Sequence, residues 1–330
     1  MTMILHWLLD QENFKIYTFL NHIMTNNFLD EPQNINELGG HEIATEFSNL
    51  KALNYVTVIP IGFPNAGKTL WLASILSYAK NTVSPLFSIT RQRQFPFNGG
   101  FIKADYLDNN FKKGGDLPGR TPMGTLDVFG LNILPSKDKL PNLNLAFLDL
   151  AGEDVEKIRT SVRGDFSSKI KAIYNGLGID KSPIVFVLIT PFAPPSKKGQ
   201  SISDAHKDED GLHSDFLNYL QVDEPELLKH SKFFIVVSQW DKNTDQKLSV
   251  ENFIKNNRPS LYSVIKNLSV IWGNYSIGKI LETYNESDST INANLATIDK
   301  VSPERFWKKI YQVCTGRELD EKTFWENLFS

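Results

Sequence analysis

One segment of the chain combines glycine, lysine and threonine at a spacing that suits phosphate chemistry. Residues 62–69 read GFPNAGKT and match the pattern G-x-x-x-x-G-K-[ST]. An apolar segment, residues 54–61, precedes them, and a helix-like segment, residues 68–80, follows. Glycines allow backbone N–H groups to turn toward an anion, and the start of a helix adds partial positive charge. The segment therefore predicts a polyphosphate site, with Lys68 on the β- and γ-phosphates and the Thr69 hydroxyl as a ligand of Mg²⁺.

A second candidate ligand of magnesium lies at the end of another apolar segment. Residues 143–159 read LNLAFLDLAGEDVEKIR, in which Asp149 closes the apolar part and Gly152 follows three residues later. An aspartate at the carboxyl end of a neighbouring strand is placed to contact Mg²⁺. With these residues the chain resembles the Ras-like P-loop GTPases of the TRAFAC class, whose second switch begins D-x-x-G. ATPases of the other large P-loop division usually carry a catalytic glutamate directly after the aspartate, whereas this chain has Leu150.

A third segment bears on which base is bound. In the Ras-like class a later strand ends in N/T-K-x-D, and the aspartate accepts hydrogen bonds from guanine. The corresponding sequence here is SQWD, residues 238–241. The resemblance implies that Asp241 recognises guanine and that Gln239 replaces the lysine whose stem covers the base. A short loop after the next strand, SIG at residues 276–278, lies where the class contacts guanine O6 through a backbone N–H.

The class also uses a threonine from its first switch and a group that orients the attacking water. The sequence GGDLPGRTPMGTLDV offers Thr121, which leaves the following strand intact, and Thr125 as the lesser candidate. Arg120 is either a cationic contact to the γ-phosphate or a solvated loop residue. Ras places a glutamine after D-x-x-G, and this chain has Glu153. The resemblance therefore implies either a carboxylate that acts as the base or a slow enzyme.

These residues together predict a Mg²⁺-dependent, slow GTPase that acts as a molecular switch, with GTP or GDP bound and a protein effector or regulator as partner. Two alternatives remain: a nucleotide-loaded interaction module with little turnover, and a P-loop ATPase. The predicted catalytic residues are Lys68, Thr121 and Glu153, and the predicted metal ligands are Thr69, Thr121 and Asp149. The predicted nucleotide contacts are Gly62, Asn65, Ala66, Gly67, Lys68, Thr69, Leu70, Gly152, Gln239, Asp241, Ser276 and Ile277.

Alternating apolar and helix-like segments supply the elements that must position these residues. The predicted strands are 54–61, 124–134, 143–150, 183–190, 233–238 and 269–275, and the predicted helices are 68–80, 154–175, 203–221 and 250–267. Such alternation is typical of a mostly parallel sheet covered on both faces. The link between the second and third strands is too short for a crossover, so these two strands are predicted to pair antiparallel. The fold class predicted is a P-loop NTPase three-layer α/β/α sandwich, with a mostly parallel six-stranded sheet and one antiparallel edge strand.

The same pattern divides the chain into three parts. Residues 1–50 are predicted to be an N-terminal helical extension, and residues 51–283 a P-loop GTPase domain with a long first-switch insertion at 81–120. Residues 284–330 are predicted to be a polar linker followed by C-terminal helices. From Lys68 to Asp149 is 81 residues and from Asp149 to Asp241 is 92. These wide spacings make the chain look most like the bacterial double-GTPase and conflict-system relatives of the class.

The composition indicates in which compartment the protein is expected but does not identify a binding partner. The 330 residues include 41% hydrophobic and 22% charged residues, with a net charge of −3, which gives no overall attraction to nucleic acid. The only cysteine, Cys314, rules out an internal disulfide and favours a reducing compartment, so we expect a cytoplasmic protein. The N-terminal apolar run is a poor signal peptide, and no run reaches the roughly 18 apolar residues of a membrane span.

Overall fold

A computed structural model describes the chain over most of its length. The described residues are 34–64, 66–91, 95, 97, 105–106, 108–109, 125–150, 168–177, 184–194, 201–276, 280–285, 290–295 and 299–320. The helices are α1 (Gly40–Ala52), α2 (Lys68–Asn81), α3 (Ser168–Leu177), α4 (Ile202–Asp223), α5 (Pro225–His230), α6 (Val250–Asn257), α7 (Pro259–Ile265) and α8 (Val301–Thr315). The strands are β1 (Tyr55–Ile61), β2 (Phe87–Arg91), β3 (Leu126–Pro135), β4 (Leu143–Leu150), β5 (Ile184–Pro191), β6 (Lys232–Ser238), β7 (Val270–Asn274), β8 (Ile280–Asn285) and β9 (Thr290–Leu295). A 3₁₀ turn, Trp240–Lys242, follows β6.

Seven of these strands form one sheet in the order β2-β3-β4-β1-β5-β6-β7. The strand β1 pairs in parallel with β4 on one side and with β5 on the other, and β5, β6 and β7 continue in parallel. All residues of β1 and β5 are buried, because a central parallel strand is covered by helices on both faces. The carboxyl ends of β1, β4, β5, β6 and β7 therefore meet at one edge of the sheet, which is where ligands bind in open α/β sheets.

Helices cover both faces of this sheet, so the hydrophobic core consists of two clusters, one on each face. On one face α2 and α8 bury their aromatic and aliphatic side chains, including Trp71 and Trp307. On the other face α1, α3, α4, α6 and α7 pack together, with Phe47, Phe186 and Phe216 among the buried residues. The fold is a three-layer α/β/α sandwich of the P-loop NTPase type, as predicted. None of the helices in the described residues is both long enough and apolar enough to cross a membrane.

The sheet differs from the prediction in strand number and in the position of its antiparallel strand. The antiparallel pairing of β3 with β4 is confirmed. The additional strand, β2, pairs antiparallel with β3 and forms the edge, so β3 is second from the edge and the prediction of six strands was one short. The strand β2 is only five residues long and lies in a region rich in glycine and proline, and its alternating burial gives it little apolar signal.

Two helix predictions also change. The segment 250–267, predicted as one helix, is two helices that break at Arg258 and Pro259. A proline cannot donate its backbone nitrogen and disfavours a helical residue before it, and Arg258 accordingly has φ −137° and ψ 57°. The segment predicted as helix 154–175 corresponds in its last part to α3, and its residues before 168 lie outside the described residues.

The residues after β7 contain a feature that the sequence pattern did not predict. The strands β8 and β9 pair antiparallel as a separate two-stranded sheet, with Ile280 opposite Leu295 and Tyr284 opposite Ile291. Most of this hairpin lies in the segment predicted as a polar linker. At the start of α8, the side chain of Asp299 accepts a hydrogen bond from the backbone N–H of Val301 at 2.9 Å.

Candidate functional site

The phosphate loop connects the end of β1 to the start of α2. Gly67 has φ +90° and ψ 16°, a left-handed backbone conformation that favours glycine. The N–H of Ala66 donates to the carbonyl of Phe63 at 3.1 Å, and the N–H of Trp71 donates to the carbonyl of Gly67 at 2.8 Å. The loop therefore turns tightly into the helix, whose first N–H groups lie at the carboxyl edge of the sheet.

Lys68 lies inside this loop. Its side chain is buried, with 7% of the residue exposed, and its ammonium group donates to the carbonyl of Gly62 at 2.8 Å. Burying an ammonium group is costly unless anionic or carbonyl oxygens surround it. The loop thus holds a cation at its centre, which is the group that a bound polyphosphate requires.

Close contacts fix the loop against the ends of β5 and β6. A methyl group added at Gly62 would lie 2.6 Å from the carbonyl oxygen of Ile189 in β5, a distance too short for any side chain. The hydroxyl of Ser238, the last residue of β6, donates to the carbonyl of Ala66 at 2.6 Å. Ser238 is the first residue of the SQWD segment, residues 238–241. This contact could not be expected from the sequence, because 172 residues separate its two partners.

The structure places two aspartates opposite each other on adjacent strands near the same edge. Asp149, the second-last residue of β4, is 1% exposed and pairs in register with Asp127 of β3. Directly opposed residues share one face of an antiparallel pair, and here that face is the one packed by α2. Like charges in this arrangement destabilise the pair unless a cation lies close to them. Asp127 was not among the site residues predicted from the sequence.

These residues fit a magnesium ion that takes its remaining ligands from elsewhere. Thr69, in the first turn of α2, and Asp149 offer the oxygen atoms that Mg²⁺ prefers. The described residues contain no group of three or more His, Cys, Asp or Glu side chains arranged to hold a metal ion. Mg²⁺ usually binds through one or two protein groups together with water and substrate phosphates. Thr69 and Asp149 are therefore suited to a Mg²⁺ ion whose other ligands would be water and the phosphates of a nucleotide.

The predicted base-binding residues follow β6. Gln239 has φ +56°, so the chain turns sharply after the strand, and Asp241 is exposed on the 3₁₀ turn that follows. The ammonium group of Lys242 donates to the Oε1 atom of Gln239 at 2.9 Å. The carboxylate of Asp241 is therefore presented to solvent at the carboxyl edge of the sheet, where a ligand can reach it.

Aromatic packing holds this turn in place. The ring of Trp240 packs edge-on against Phe192 and Phe253, with centroid distances of 5.7 and 6.2 Å. The backbone N–H of Trp240 donates to the carbonyl of Tyr275 at 3.1 Å. Ser276 follows directly, so the two segments predicted to contact the base are joined by a backbone hydrogen bond.

Five predicted site residues lie outside the described residues: Asn65, Thr121, Gly152, Glu153 and Ile277. Arg120 lies outside them as well. Thr125, the lesser candidate for the first switch, is described and directly precedes β3, two residues before Asp127. Leu70 is half-buried in the first turn of α2, and its carbonyl accepts a hydrogen bond from the hydroxyl of Tyr275 at 3.0 Å.

No known family model matches the chain, and no curated protein is significantly similar to it. Among solved structures, Toc33 from Arabidopsis thaliana with Mg²⁺ and GMPPNP is 14% identical, with 88% of this chain and 96% of that chain covered and a TM-score of 0.37. A dimerization-deficient mutant of Toc33 gives the same identity and coverage and a TM-score of 0.36. The GTPase-like domain of S. cerevisiae Ski7, bound to GDP and inorganic phosphate, is 14% identical, covers 84% of this chain and 53% of that chain, and has a TM-score of 0.35. Similarity this distant does not establish a family.

Proposed function

We propose that this protein binds GTP together with Mg²⁺ and hydrolyses the bond between the β- and γ-phosphates slowly, as a molecular switch. The observation that carries the proposal is the geometry of the loop around Lys68, a buried ammonium group between the end of β1 and the start of α2. Asp241 lies on a neighbouring loop at the same edge, which supports recognition of a purine there. Guanine is favoured over adenine because a carboxylate accepts from guanine N1–H and the 2-amino group, whereas adenine offers no such donor pair.

Each residue of the site then has a separate task. Lys68 and the N–H groups at the start of α2 bind the β- and γ-phosphates and stabilise charge that develops on them. Thr69 and Asp149 hold Mg²⁺, which when bound neutralises phosphate charge. Thr121 and Glu153 remain predictions for closing the first switch and orienting water. The loss of γ-phosphate contacts on hydrolysis would change the order of the switch segments and so alter binding of a protein partner.

Three finer parts of the proposal rest on the sequence. The assignment to the bacterial double-GTPase and conflict-system relatives rests on the wide spacing of the motifs. The cytoplasmic location rests on the single cysteine. The alternative of a nucleotide-loaded module with little turnover is favoured by Gln239, which replaces the lysine that covers the base in the Ras-like class. The side chain of Gln239 instead accepts a hydrogen bond from the ammonium group of Lys242.

Phosphate release under multiple turnover tests the enzymatic proposal. Purified protein with GTP and Mg²⁺ is expected to release phosphate, and Lys68→Ala is expected to abolish the release. Lys309→Ala, on the exposed face of α8, removes a lysine far from the loop in sequence and is the matched control. Tight binding of GTP without release would instead support the interaction module, and no binding of any purine triphosphate would exclude both.

Base preference tests the role of Asp241 separately. Asp241→Asn exchanges an acceptor for a donor at the guanine edge, so the preference is expected to move from GTP to XTP. Asp245→Asn changes another aspartate of the same exposed loop and is expected to leave the preference unchanged. Unchanged relative affinities in Asp241→Asn would contradict the guanine assignment, and equal affinity of the unmodified protein for ATP would favour the ATPase alternative.

A further inference from the structure

The side chain of Tyr275 reaches from the end of β7 to the helix that begins at the phosphate loop. Tyr275 directly follows β7, is 3% exposed and belongs to the core cluster on the face covered by α2 and α8. Its hydroxyl donates to the carbonyl of Leu70 at 3.0 Å, although 205 residues separate the two along the chain. Leu70 lies in the first turn of α2, together with Lys68 and Thr69. The hydroxyl of Tyr275 therefore contacts the turn on which the phosphate-binding residues are placed.

The backbone of Tyr275 belongs to the other half of the site. Its N–H donates to the carbonyl of Val237 in β6 at 2.9 Å, and its carbonyl accepts from the N–H of Trp240 at 3.1 Å. Asp241 directly follows Trp240, and Ser276 directly follows Tyr275. Tyr275 thus bonds through its main chain to the 3₁₀ turn after β6, the base-binding turn, and through its side chain to α2.

The chemistry of this link makes it stiff. Burial raises the pKa of Tyr275 well above its usual value, so the hydroxyl keeps its proton and remains a donor. The carbonyl of Leu70 has two lone pairs, so it can accept this bond in addition to a bond within the helix. A tyrosine side chain has only two torsions and a rigid ring, and here the ring is enclosed by packed core residues. The separation between the backbone of Tyr275 and its hydroxyl is therefore nearly fixed.

We propose that Tyr275 is a positioning residue that sets the distance between the first turn of α2 and the base-binding turn. A nucleoside diphosphate must contact both turns at once, so its affinity depends on their separation, whereas a ligand that contacts only one of them is insensitive to it. This inference deepens the proposed function and rests on it, because it requires phosphates at Lys68 and a base at Asp241. A second link, from the hydroxyl of Ser238 to the carbonyl of Ala66, joins β6 to the phosphate loop. Loss of the Tyr275 hydroxyl is therefore expected to weaken nucleotide binding and not to abolish it.

Tyr275→Phe removes the hydroxyl and leaves the ring in place. The net contribution of one hydrogen bond corresponds to a factor of about 2 to 10 in affinity, and the affinity for GDP is expected to fall by about this factor. The affinity for pyrophosphate, which has no base, is expected to stay unchanged.

Tyr311→Phe is the matched control. Tyr311 is also fully buried in the core cluster on the α2 and α8 face, and its hydroxyl donates to a backbone carbonyl, that of Pro141, at 2.8 Å. Pro141 precedes the start of β4, whereas Asp149 lies near the end of that strand. The substitution thus removes the same kind of hydrogen bond at a place that joins neither half of the site, so both affinities are expected to stay unchanged.

The test compares the affinities for GDP and for pyrophosphate, both in the presence of Mg²⁺. Calorimetric titration gives the affinity for GDP, and displacement of GDP by pyrophosphate gives the affinity for pyrophosphate. The readout is the ratio of the two affinities in Tyr275→Phe relative to the unmodified protein, which a merely structural role of the hydroxyl would leave unchanged. An unchanged affinity for GDP, or equal losses for GDP and pyrophosphate, would overturn the inference. A loss of GDP affinity in Tyr311→Phe as large as in Tyr275→Phe would overturn it as well.

A second measurement covers the case in which Tyr275→Phe does not fold. In the unmodified protein, saturating pyrophosphate fills only the phosphate half of the site. Because Tyr275 joins the halves, hydrogen exchange at the amide of Trp240 is expected to slow by about 2- to 10-fold. The amide of Leu140, which donates to the carbonyl of Lys137 in the link between β3 and β4, is the control and is expected to exchange at an unchanged rate.

The outcomes separate this inference from the proposed function. Unchanged exchange at Trp240, with GDP still bound by the protein, would overturn the inference and leave the proposed function intact. No binding of GDP or GTP to the unmodified protein would overturn the proposed function, and the inference with it.

Discussion

Gly67 adopts a backbone conformation that alanine reaches only with strain. Its φ is +90°, and an added Cβ would lie 3.4 Å from the Cβ and Oγ atoms of Ser238, which is ordinary contact. Gly316, at the end of α8, has φ +71°, and an added Cβ there would meet no heavy atom within 4 Å. The two glycines thus share the backbone requirement, but only Gly67 lies in the phosphate loop.

The cost of either substitution comes from the backbone. A left-handed conformation costs an L-residue about 1–2 kcal/mol, so Gly67→Ala and Gly316→Ala are each expected to lower the free energy of unfolding by about that amount. In Gly67→Ala the loop can relieve strain by turning its N–H groups away from the phosphate position. The nucleotide must then restore the strained form, so affinity falls by up to about the same 1–2 kcal/mol, which is 5- to 30-fold.

Urea denaturation gives the stability of each variant, and calorimetric titration with GDP and Mg²⁺ gives its affinity. Gly316→Ala is expected to be less stable than the unmodified protein and to bind with unchanged affinity. Gly67→Ala is expected to show both losses. If Gly67→Ala were destabilised by as much as Gly316→Ala but bound nucleotide as tightly as the unmodified protein, the conformation of the loop would not be what holds the phosphate.

Two further predictions concern the supports of the site. Arg258→Met leaves the buried oxygen atoms of Thr190 and Pro191 without their donor. It is expected to lower the free energy of unfolding by about 3–5 kcal/mol and the melting temperature by roughly 4–7 °C. Arg305→Met, on the exposed face of α8, is the control and is expected to change the melting temperature by less than about 1 °C. Calorimetry checks both variants, and equal melting temperatures would contradict the role of the buried guanidinium. The side chain of Asn36 exchanges two hydrogen bonds of 2.9 Å with the backbone of Leu126, where β3 begins. Asn36→Ala is therefore expected to cost about 1–3 kcal/mol and to speed hydrogen exchange at the amide of Leu126, and unchanged exchange would show that this contact does not hold the strand.

Much of the fold could be predicted because its signals are local. Parallel strands buried on both faces are runs of apolar residues, as in β1 and β5, and these runs stand out from the polar segments between them. The phosphate loop is also local, since its glycines, lysine and threonine lie within eight residues. The edge strand β2 has no such signal, because it is short and half exposed and depends on pairing with β3.

Some residues of the candidate site could be predicted from the sequence, and others could not. Lys68 and Asp241 come after strands that the sequence indicates, and Asp149 lies at the end of one. Parallel strands bring such ends to one edge. The register that sets Asp127 opposite Asp149 is invisible in the sequence, because it depends on where the hairpin turns. The same holds for Ser238, whose contact with Ala66 depends on the packing of β6 beside the loop.

The order of residues is enough to predict a phosphate loop between a strand and a helix, and to predict acidic residues at the ends of two other strands. A polar cluster at the end of β5 becomes evident only in the packed fold. Arg258 and His206 come from different parts of the chain and meet there, and burial lowers the pKa of each. The sequence determines which ionisable groups are present. Their desolvation and their interactions with other charges depend on what surrounds them once the chain has folded.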